Sequence, residues 1–443
     1  MGQSVAPSRR DEFEIAIFCA LALEYNAVTP LFDQYWERDY GRVMGDNNTY
    51  TTGRIGTHNV VLVLLAGMGK VHASIASANI NPSYTRIRLA LLVGICGGTQ
   101  TDTQGNEIFL GDVVISDQVV QYDFARQFPD AVVPKGEVRD ILGRETPNIR
   151  GFVNTLQTSL YQQHLRARTL EHLKALQEDA GSVNYSYPGR ARDKLFRPDY
   201  RHKHRSWQGC LVCDRCVKKS HPTCEQAKKL SCDALDCDEA NLIPRTPGQS
   251  QRREKSKAWD GTELQDDDPW VHFGPIASGD LVMKSGEDRD RIAQAQGIIA
   301  FEMEGAGVYD NVPTIIIKGV CDYADCHKNK SFQNYAAATA AATMKAVLQR
   351  YQQTDRSFQA PHAIPHKARG GVGRGGRADY GYAYGGRATG AQVTRASAIG
   401  GTGFGGHARG RDSATGGEAE GGEASGPNPQ GGDAIQGDAE LFD

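Results

Sequence analysis

The chain has 443 residues, room for more than one domain of ordinary size, and apolar residues make up 39% of it. Its net charge of −3 gives the whole chain no strong attraction to nucleic acid or anionic lipid. No run of about 18 apolar residues occurs, and the polar N-terminal segment has no apolar core of a signal peptide. We therefore expect an intracellular, cytoplasmic protein with reduced cysteines and no membrane partner.

Five short apolar runs predict buried strands, because uninterrupted apolar residues are typical of strands that are covered on both faces. In chain order they are 13–20, 59–66, 89–95, 113–116 and 314–320. Helices are predicted at 70–78, 150–178, 287–296 and 332–352. This alternation predicts an α/β protein, with three α/β/α layers around a central mixed, twisted sheet. In such folds a ligand lies at the carboxyl ends of the strands.

Two regions depart from this pattern. Within the predicted domain, 12–352, the segment 181–269 is basic, then cysteine-rich, and lacks an apolar period. We expect it to be a protruding insertion without a packed core. The segment 355–443 is low in complexity, and 23 of the 50 glycines lie after residue 365. It cannot bury enough surface to offset its chain entropy, so a disordered Gly-rich tail is predicted.

Four motifs at predicted strand ends contain residues that could perform chemistry. The glycine-rich segments 66–70 (AGMGK) and 94–99 (GICGGT) would let backbone amides approach a ligand, or they are only tight turns. In 301–306 (FEMEGA), two carboxylates suit a pair of ribose hydroxyls, although acids also favour a helix N-terminus. In 321–325 (CDYAD), an acid ends a strand, which suits a general acid or a helix cap.

The order of these motifs resembles that of one known family. Glu24 within ALALEYNAV, then GMGK, GICGG, IASGD, FEMEG and CDYAD, follow one another as in the nucleoside phosphorylase and nucleosidase superfamily. The chain looks most like the methylthioadenosine/adenosylhomocysteine nucleosidase branch. It is closer still to fungal members, often the N-terminal effector domain of NOD-like receptors, here expected in a stand-alone form. The segments HFGPIASGDLVMKSGEDRDRIA and GVCDYADCHKNKSFQNYAAATAAA carry this resemblance most specifically.

The resemblance implies a purine nucleosidase that requires no cofactor and forms a homo-oligomer. Asp322 would protonate the departing purine, and Glu24 would position or deprotonate the attacking water. Glu304 would accept the ribose hydroxyls, with Met303 packed under the sugar. The other implied site residues are Leu281, Val282 and Met283 at the base, and Gly67, Gly69, Gly97 and Gly98 in the substrate loops.

The nucleophile and the substrate stay open at this level. Phosphorylases of the superfamily need arginines around a phosphate, one of them in the first strand-to-helix loop. Here that loop, 19–24 (CALALE), has no base, which favours water and leaves phosphorolysis as the alternative. Some defence-associated relatives act on adenine nucleotides, including ATP. A site for a nucleotide needs cationic side chains near the ribose 5′ position, where the phosphate groups are attached. The candidates, which could equally form a solvated basic loop, are Arg190, Arg192, Lys194, Arg197, Arg201, Lys203, Arg205, Lys284, Lys328 and Lys330.

The cysteine spacing in the insertion predicts a structural zinc site. Cys210, Cys213 and Cys216 follow one another at CxxC spacing, and Cys224 completes a set of four thiolates. A flexible loop with reduced thiols is the alternative. In the tail, Arg-Gly and Tyr-Gly elements could bind RNA, so a weakly catalytic scaffold or RNA-associated protein is the alternative from another functional class.

Overall fold

The structure is a computed structural model that describes residues 6–129, 132–135, 142, 145–178, 181, 183–205, 210–245 and 268–352, and the backbone of short strands between 366 and 436. The chain divides into two compact units, Met1–Gln352 and Gln353–Asp443. Within the described residues no helix is long and apolar enough to cross a membrane.

A mixed sheet of nine strands forms the centre of the first unit, and one separate hairpin, β7 with β8, lies outside it. The strands are β1 Ile15–Cys19, β2 Gln34–Tyr35, β3 Tyr50–Ile55, β4 His58–Leu64, β5 Leu89–Gly98, β6 Val113–Gln121, β7 Ala125–Gln127, β8 Val132–Pro134, β9 Val271–Ser278, β10 Ala300–Glu302 and β11 Thr314–Asp322.

The strand order brings strands from distant parts of the chain next to one another. It runs β10-β9-β6-β11-β5-β1-β4-β3-β2, and β10 also pairs with β5. Ala300 is therefore opposite both Ile276 and Gly98, and the strands between β5 and β10 close on themselves. β1, β4, β5 and β11 run parallel, whereas β11 and β6 are antiparallel. The predicted mixed sheet is confirmed.

Helices pack against this sheet in two groups. α8 contacts β5, β11, α1 and α4, while α2 contacts α7. α8 comes so close to β11 that a β-carbon at Gly319 would lie 1.9 Å from the carbonyl oxygen of Ala336. The three predicted layers are present. The helices are α1 Ala22–Val28, α2 Lys70–Ser83, α3 Pro147–Leu156, α4 Ser159–Glu178, α5 Leu211–Asp214, α6 Gly286–Gln296, α7 Gly305–Tyr309 and α8 Gln333–Leu348, with 3-10 turns at Arg10–Glu12, Thr29–Leu31, Arg190–Arg192 and Glu239–Asn241.

All five predicted strands form, but two local predictions need correction. The helix expected over 150–178 is two helices, α3 and α4, separated by a turn in which Thr158 donates its hydroxyl to the carbonyl of Thr155 at 2.8 Å. The strand β3 was not predicted, because its sequence YTTGRI is half polar and contains a glycine.

The insertion does not simply protrude, contrary to expectation. Tyr185 and Leu195 belong to the main core, and the amide of Ile243 donates to the carbonyl of Leu195 at 2.9 Å. The cysteine-rich part has a small core of its own, formed by Cys210, Cys213, Ala227 and Leu235. Because that core consists mostly of cysteine and small residues, hydrophobic periodicity does not reveal it.

The second unit contains two parallel sheets, ordered β12-β14-β16-β18 and β13-β15-β17-β19-β20. Low complexity predicts none of these strands. Most of the segment for which disorder is predicted, 355–443, lies outside the described residues, and RNA binding by it stays a prediction. The strands are β12 His366–Arg369, β13 Val372–Gly375, β14 Gly381–Tyr384, β15 Arg387–Gly390, β16 Ala396–Ile399, β17 Thr402–Gly405, β18 Ser413–Thr415, β19 Glu418–Gly421 and β20 Ala434–Gln436.

Candidate active site

A cavity of about 240 Å³ lies where β5, β10 and β11 end beside the first turn of α1. The three carboxylates singled out from the sequence, Glu24, Glu304 and Asp322, all line it. So does Met303, between the two acids of the FEMEG motif. The fold thus gathers residues that are nearly 300 positions apart in the sequence around one space. The implied base-binding residues Leu281, Val282 and Met283 line the same cavity.

Glu24 is held by the backbone of two strand ends. Its Oε2 accepts hydrogen bonds from the amides of Ala20 and Leu21 at 2.8 and 2.9 Å, and its Oε1 accepts one from Ile95 at 2.8 Å. Burial raises the pKa of Glu24, although the nearby ammonium of Lys318 and these amides oppose the rise. A β-carbon at Gly94 would lie 2.1 Å from Oε1. This glycine therefore makes room for the carboxylate rather than for a ligand.

Glu304 is joined to a buried lysine that the sequence analysis missed. Its Oε1 accepts from the amide of Gly69 at 3.1 Å, and its Oε2 lies 3.4 Å from Nζ of Lys318. Lys318 is fully buried in β11, with Glu302 Oε2 at 4.0 Å. A lysine inside the apolar run TIIIKGV is costly to bury without partners, and that cost was the available signal for a charged site.

Lys318 and the neighbouring carboxylates shift one another's pKa values. Burial by itself would lower the pKa of Lys318, but Glu304, Glu24 and Glu302 outweigh that effect and raise it. Burial raises the pKa of Glu302, while Lys318 opposes the rise. One ammonium group is therefore shared by three carboxylates directly under the cavity.

The two acids of FEMEG have different roles. Glu302 caps the start of α7: its Oε2 accepts from the amides of Glu304 and Gly305, each at 2.9 Å. Glu304 keeps its carboxylate at the cavity wall, beside Lys318 and Gly69. The helix-terminus interpretation thus fits the first acid, whereas the second is held beside Lys318 and Gly69.

Asp322 is the last residue of β11 and also lines the cavity. Its Oδ1 lies 2.9 Å from Nζ of Lys328 and accepts from the amide of Ala324 at 2.9 Å. Ala324 adopts a left-handed conformation, φ 52°, which costs a non-glycine residue about 1–2 kcal/mol. The other acid of CDYAD, Asp325, is turned away toward Arg289 and the amide of His327. Burial raises the pKa of Asp325 to about 6, but this residue does not line the cavity.

The four loop glycines predicted to contact substrate fall into two groups. Gly97 lines the cavity, as predicted. Gly67, Gly69 and Gly98 are not among its lining residues. In the AGMGK segment, the residue that lines the cavity is Met68. Gly67 lies against His72, and Gly98 lies against Val320. Gly69 contributes to the site through its backbone amide, which donates a hydrogen bond to Glu304.

The GMGK segment is a turn and not a phosphate loop. Nζ of Lys70 lies 2.6 Å from Oδ1 of Asp123, and the amide of Lys70 donates to Oδ1 of Asp280 at 2.9 Å. The lysine that a phosphate would require is therefore occupied by two carboxylates.

Solvent-exposed apolar side chains line the cavity. Leu281 and Met68 are 65% and 52% exposed, although both line it. The carbonyl of Leu281 is fixed by the hydroxyl of Tyr122 at 2.6 Å. Such exposed apolar residues at a concave site provide a surface that a flat, apolar ring would cover.

A larger, basic cleft of about 630 Å³ joins the cavity. Asp322, Lys328 and Gln333 line both spaces. Six of the predicted cations do not line the cleft; Lys194, for example, pairs with Glu239 at 2.6 Å. Lys228 and Lys229 line it although the sequence analysis did not select them. The cations that line the cleft are Arg201, Lys228, Lys229, Lys284, Lys328 and Lys330.

The cysteine cluster differs from the predicted ligand set by one residue. Cys210, Cys213 and Cys224 come together, but the fourth ligand atom belongs to His204 and not to Cys216. The sulfur of Cys216 instead lies 3.5 Å from the carbonyl of His221. The CxxC spacing on both sides of Cys213 could not distinguish these two arrangements.

Comparisons with known proteins show similarity to one superfamily. Residues 14–214 match the model of the phosphorylase superfamily. A nucleotide-binding leucine-rich repeat (NLR)-like protein of Hyaloscypha variabilis is 29% identical over 351 residues, which are 78% of this chain and 30% of that protein. This chain thus spans less than a third of that relative.

Two further similarities concern nucleosidases. The 5′-methylthioadenosine/S-adenosylhomocysteine nucleosidase of Mycobacterium tuberculosis is 20% identical over 339 residues, 75% of this chain and 95% of that protein. A crystal structure of the enzyme with the same name from Neisseria meningitidis, in complex with methylthio-immucillin-A, covers 76% of this chain and 99% of its own, at 17% identity and a TM-score of 0.42.

Proposed function

We propose that this chain is a purine nucleosidase, which hydrolyses the bond between adenine and ribose. The observation that carries the proposal is the convergence of Glu24, Glu304 and Asp322 on one cavity that also has an apolar wall. The match of residues 14–214 to the phosphorylase superfamily model and the similarity to a protein named as a nucleosidase support it.

Each carboxylate has a distinct task in this reaction. Asp322 donates a proton to a purine ring nitrogen as the bond from the base to C1′ breaks, so the base leaves without negative charge. Glu24 orients a water molecule toward C1′ and accepts its proton. Glu304 accepts hydrogen bonds from the ribose hydroxyls, and Lys318 and the Gly69 amide fix its position.

The charges favour water over phosphate as the nucleophile. Among the described residues, no arginine lines the cavity, and Glu24 stands in the loop where phosphorylases carry one. Lys318 is already engaged by three carboxylates. A phosphate oxygen beside an ionised carboxylate is repelled by about 4 kcal/mol at about 4 Å and an effective dielectric of about 20.

The basic cleft favours an adenine nucleotide over a nucleoside as the substrate. Lys328 and Gln333 line both the cavity and the cleft, so an anionic group on a substrate could extend from one into the other. Against the six cations of the cleft stand two acids, Glu287 and Asp322. Phosphate groups would gain charge-assisted hydrogen bonds there, which are about twice as strong as neutral ones.

The test is release of free base from a panel of adenosine, AMP, ATP, inosine and methylthioadenosine, each assayed in phosphate-free and in phosphate buffer. We expect adenine from the adenine substrates, fastest from a nucleotide, together with ribose or ribose phosphates and no dependence on phosphate. Ribose 1-phosphate formed only in phosphate buffer would establish a phosphorylase instead. No base release from any of the five compounds would contradict the proposal.

A further inference from the structure

The insertion brings two groups of metal-binding side chains together. In the first, ligand atoms of His204, Cys210, Cys213 and Cys224 all lie within 4.8 Å of one another. The second consists of His202, Cys232 and Cys237, again within 4.8 Å. In sequence the first group is nested within the second, since His202 precedes His204 while Cys232 and Cys237 follow Cys224. All of these cysteines have free thiols.

The distances in the first group match tetrahedral coordination. Nδ1 of His204 lies 3.5 Å from the sulfur of Cys213 and 3.4 Å from that of Cys224. With zinc–sulfur bonds of about 2.3 Å and zinc–nitrogen bonds of about 2.0–2.1 Å, the nitrogen–sulfur edge of a tetrahedron is about 3.5 Å. The amide of Ala227 also donates to the sulfur of Cys224 at 3.3 Å, as it would to a bound thiolate.

The local backbone supports this arrangement. Cys210 precedes the short helix α5 and Cys213 lies within it, and the amide of Asp214 donates to the carbonyl of Cys210 at 2.9 Å. Lys203 donates to the carbonyls of Cys213 and Cys216 at 3.0 and 2.8 Å, so a cation flanks the anionic thiolates. A small core of two cysteines, one alanine and one leucine buries little apolar area, and metal binding would add the stability that this region lacks.

The second group is joined to the loop that carries the proposed acid. The sulfur of Cys232 lies 3.8 Å from the carbonyl oxygen of His327, and the ring of His202 packs edge-on against the ring of His327 at 5.1 Å. His202 also lines the basic cleft, as does Cys326. Nε2 of His327 is buried and has no hydrogen-bond partner among the described residues.

We propose that the insertion binds two zinc ions, one held by His204, Cys210, Cys213 and Cys224 and the other by His202, Cys232 and Cys237. The first is closed by four protein ligands and has a structural role. The second has three protein ligands and leaves one position for a small non-protein ligand. It fastens the insertion to the loop of residues 322–330, which contains Asp322 and Lys328.

The experiment measures metal content on the full chain, purified under reducing conditions without an affinity tag that binds metal. Elemental analysis should give two zinc ions per chain. Cys224→Ser and Cys237→Ser should each retain one. Cys216→Ser is the matched control, because this cysteine lies in the same segment outside both groups, and it should retain two. Cobalt substitution should give thiolate charge-transfer bands at both sites, stronger at the first, which has three thiolates against two.

Hydrogen exchange distinguishes the role of the second site without an activity assay. Cys237→Ser should speed exchange in residues 322–330, whereas Cys216→Ser should not. If a variant fails to fold, stepwise cobalt titration of the metal-stripped wild-type chain still counts the sites. Wild-type protein without zinc and without a cobalt spectrum would overturn both sites. One zinc ion, with a disulfide between Cys232 and Cys237, would overturn the second.

Discussion

The ammonium group of Lys318 lies 3.4 Å from Oε2 of Glu304, and both side chains are withdrawn from solvent. Neither charge would be tolerated there alone, because desolvation of an isolated ion costs several kcal/mol. Glu302 and Glu24 add two further acids to the same lysine. The lysine therefore allows a cluster of carboxylates to exist beneath the cavity, and the cluster in turn keeps the lysine charged.

Replacing Lys318 with methionine should destabilise the fold strongly. The carboxylates would lose their cation while staying buried, and removal of one partner of a buried pair costs about 3–5 kcal/mol. Urea denaturation at neutral pH measures the difference. Lys318→Arg, which keeps the charge, is the control and should lose less. A methionine variant as stable as the wild type would show that Lys318 does not neutralise the cluster.

The destabilisation should grow with pH. Burial raises the pKa of Glu24 and Glu302, so the folded state binds protons more tightly than the unfolded state. This contribution to stability is fully present below the ordinary glutamate pKa and is lost as pH rises through the raised values. Lys318 limits that rise in pKa. Without it, the total loss of stability as pH rises above the ordinary glutamate pKa should be larger than in the wild type, as denaturation at a series of pH values would reveal.

Gly94→Ala should inactivate the site. The new methyl group would lie 2.1 Å from Oε1 of Glu24, so the carboxylate would have to leave the amide of Ile95. We expect base release to fall by 10²-fold or more, roughly the contribution of one general base. Gly151→Ala, in α3 with open space around the added carbon, is the control and should keep full activity. Equal activity in both variants would contradict the role given to Glu24.

The sequence identified residues that line the cavity better than it identified their surroundings, for physical reasons. Glu304 and Asp322 are acids at or close to the ends of apolar strands, where a carboxylate is unusual and easily noticed, whereas Glu24 was selected only through the family resemblance. Lys318 was missed because it lies inside such a strand, where the apolar pattern predicts secondary structure but says nothing about charge. His204, which lies close to the cysteines in sequence, was not placed in the predicted ligand set because side chains from a loop without periodicity meet only in the fold.

Asp322→Asn should abolish turnover and leave the fold intact. The amide cannot deliver a proton to the base, and the amide of Ala324 can still donate to its remaining oxygen. We expect a loss of about 10²-fold or more in kcat, with an unchanged unfolding midpoint. Near-normal base release would show that another group, such as Asp325, is the acid.

Glu304→Gln should weaken binding as well as rate. The neutral amide accepts hydrogen bonds from the ribose hydroxyls less strongly than a carboxylate does. Its NH2 group would also face either the ammonium of Lys318 or the amide of Gly69, both of which are donors. KM should therefore rise while kcat falls, in contrast to the Asp322 variant. Steady-state kinetics on one adenine substrate distinguish the two patterns. A change confined to kcat would argue against contact of Glu304 with the ribose.

Lys328→Met should separate nucleotides from nucleosides. Lys328 lines both spaces and lies 2.9 Å from Asp322, so a phosphate group entering the cleft would compete with that carboxylate for the ammonium. A hydrogen bond to a charged group contributes about 1.5–3 kcal/mol, so kcat/KM for AMP or ATP should fall roughly ten- to a hundred-fold more than for adenosine.

Adenosine is the internal reference, because loss of the ion pair with Asp322 affects both substrates alike. Lys219→Met is the control: this lysine lies in the insertion, pairs with Asp288 at 2.8 Å and does not line the cleft, so its removal should leave the nucleotide preference unchanged. If Lys328→Met reduced kcat/KM for adenosine and ATP by the same factor, the cleft would not be a phosphate site, and the substrate would be a nucleoside.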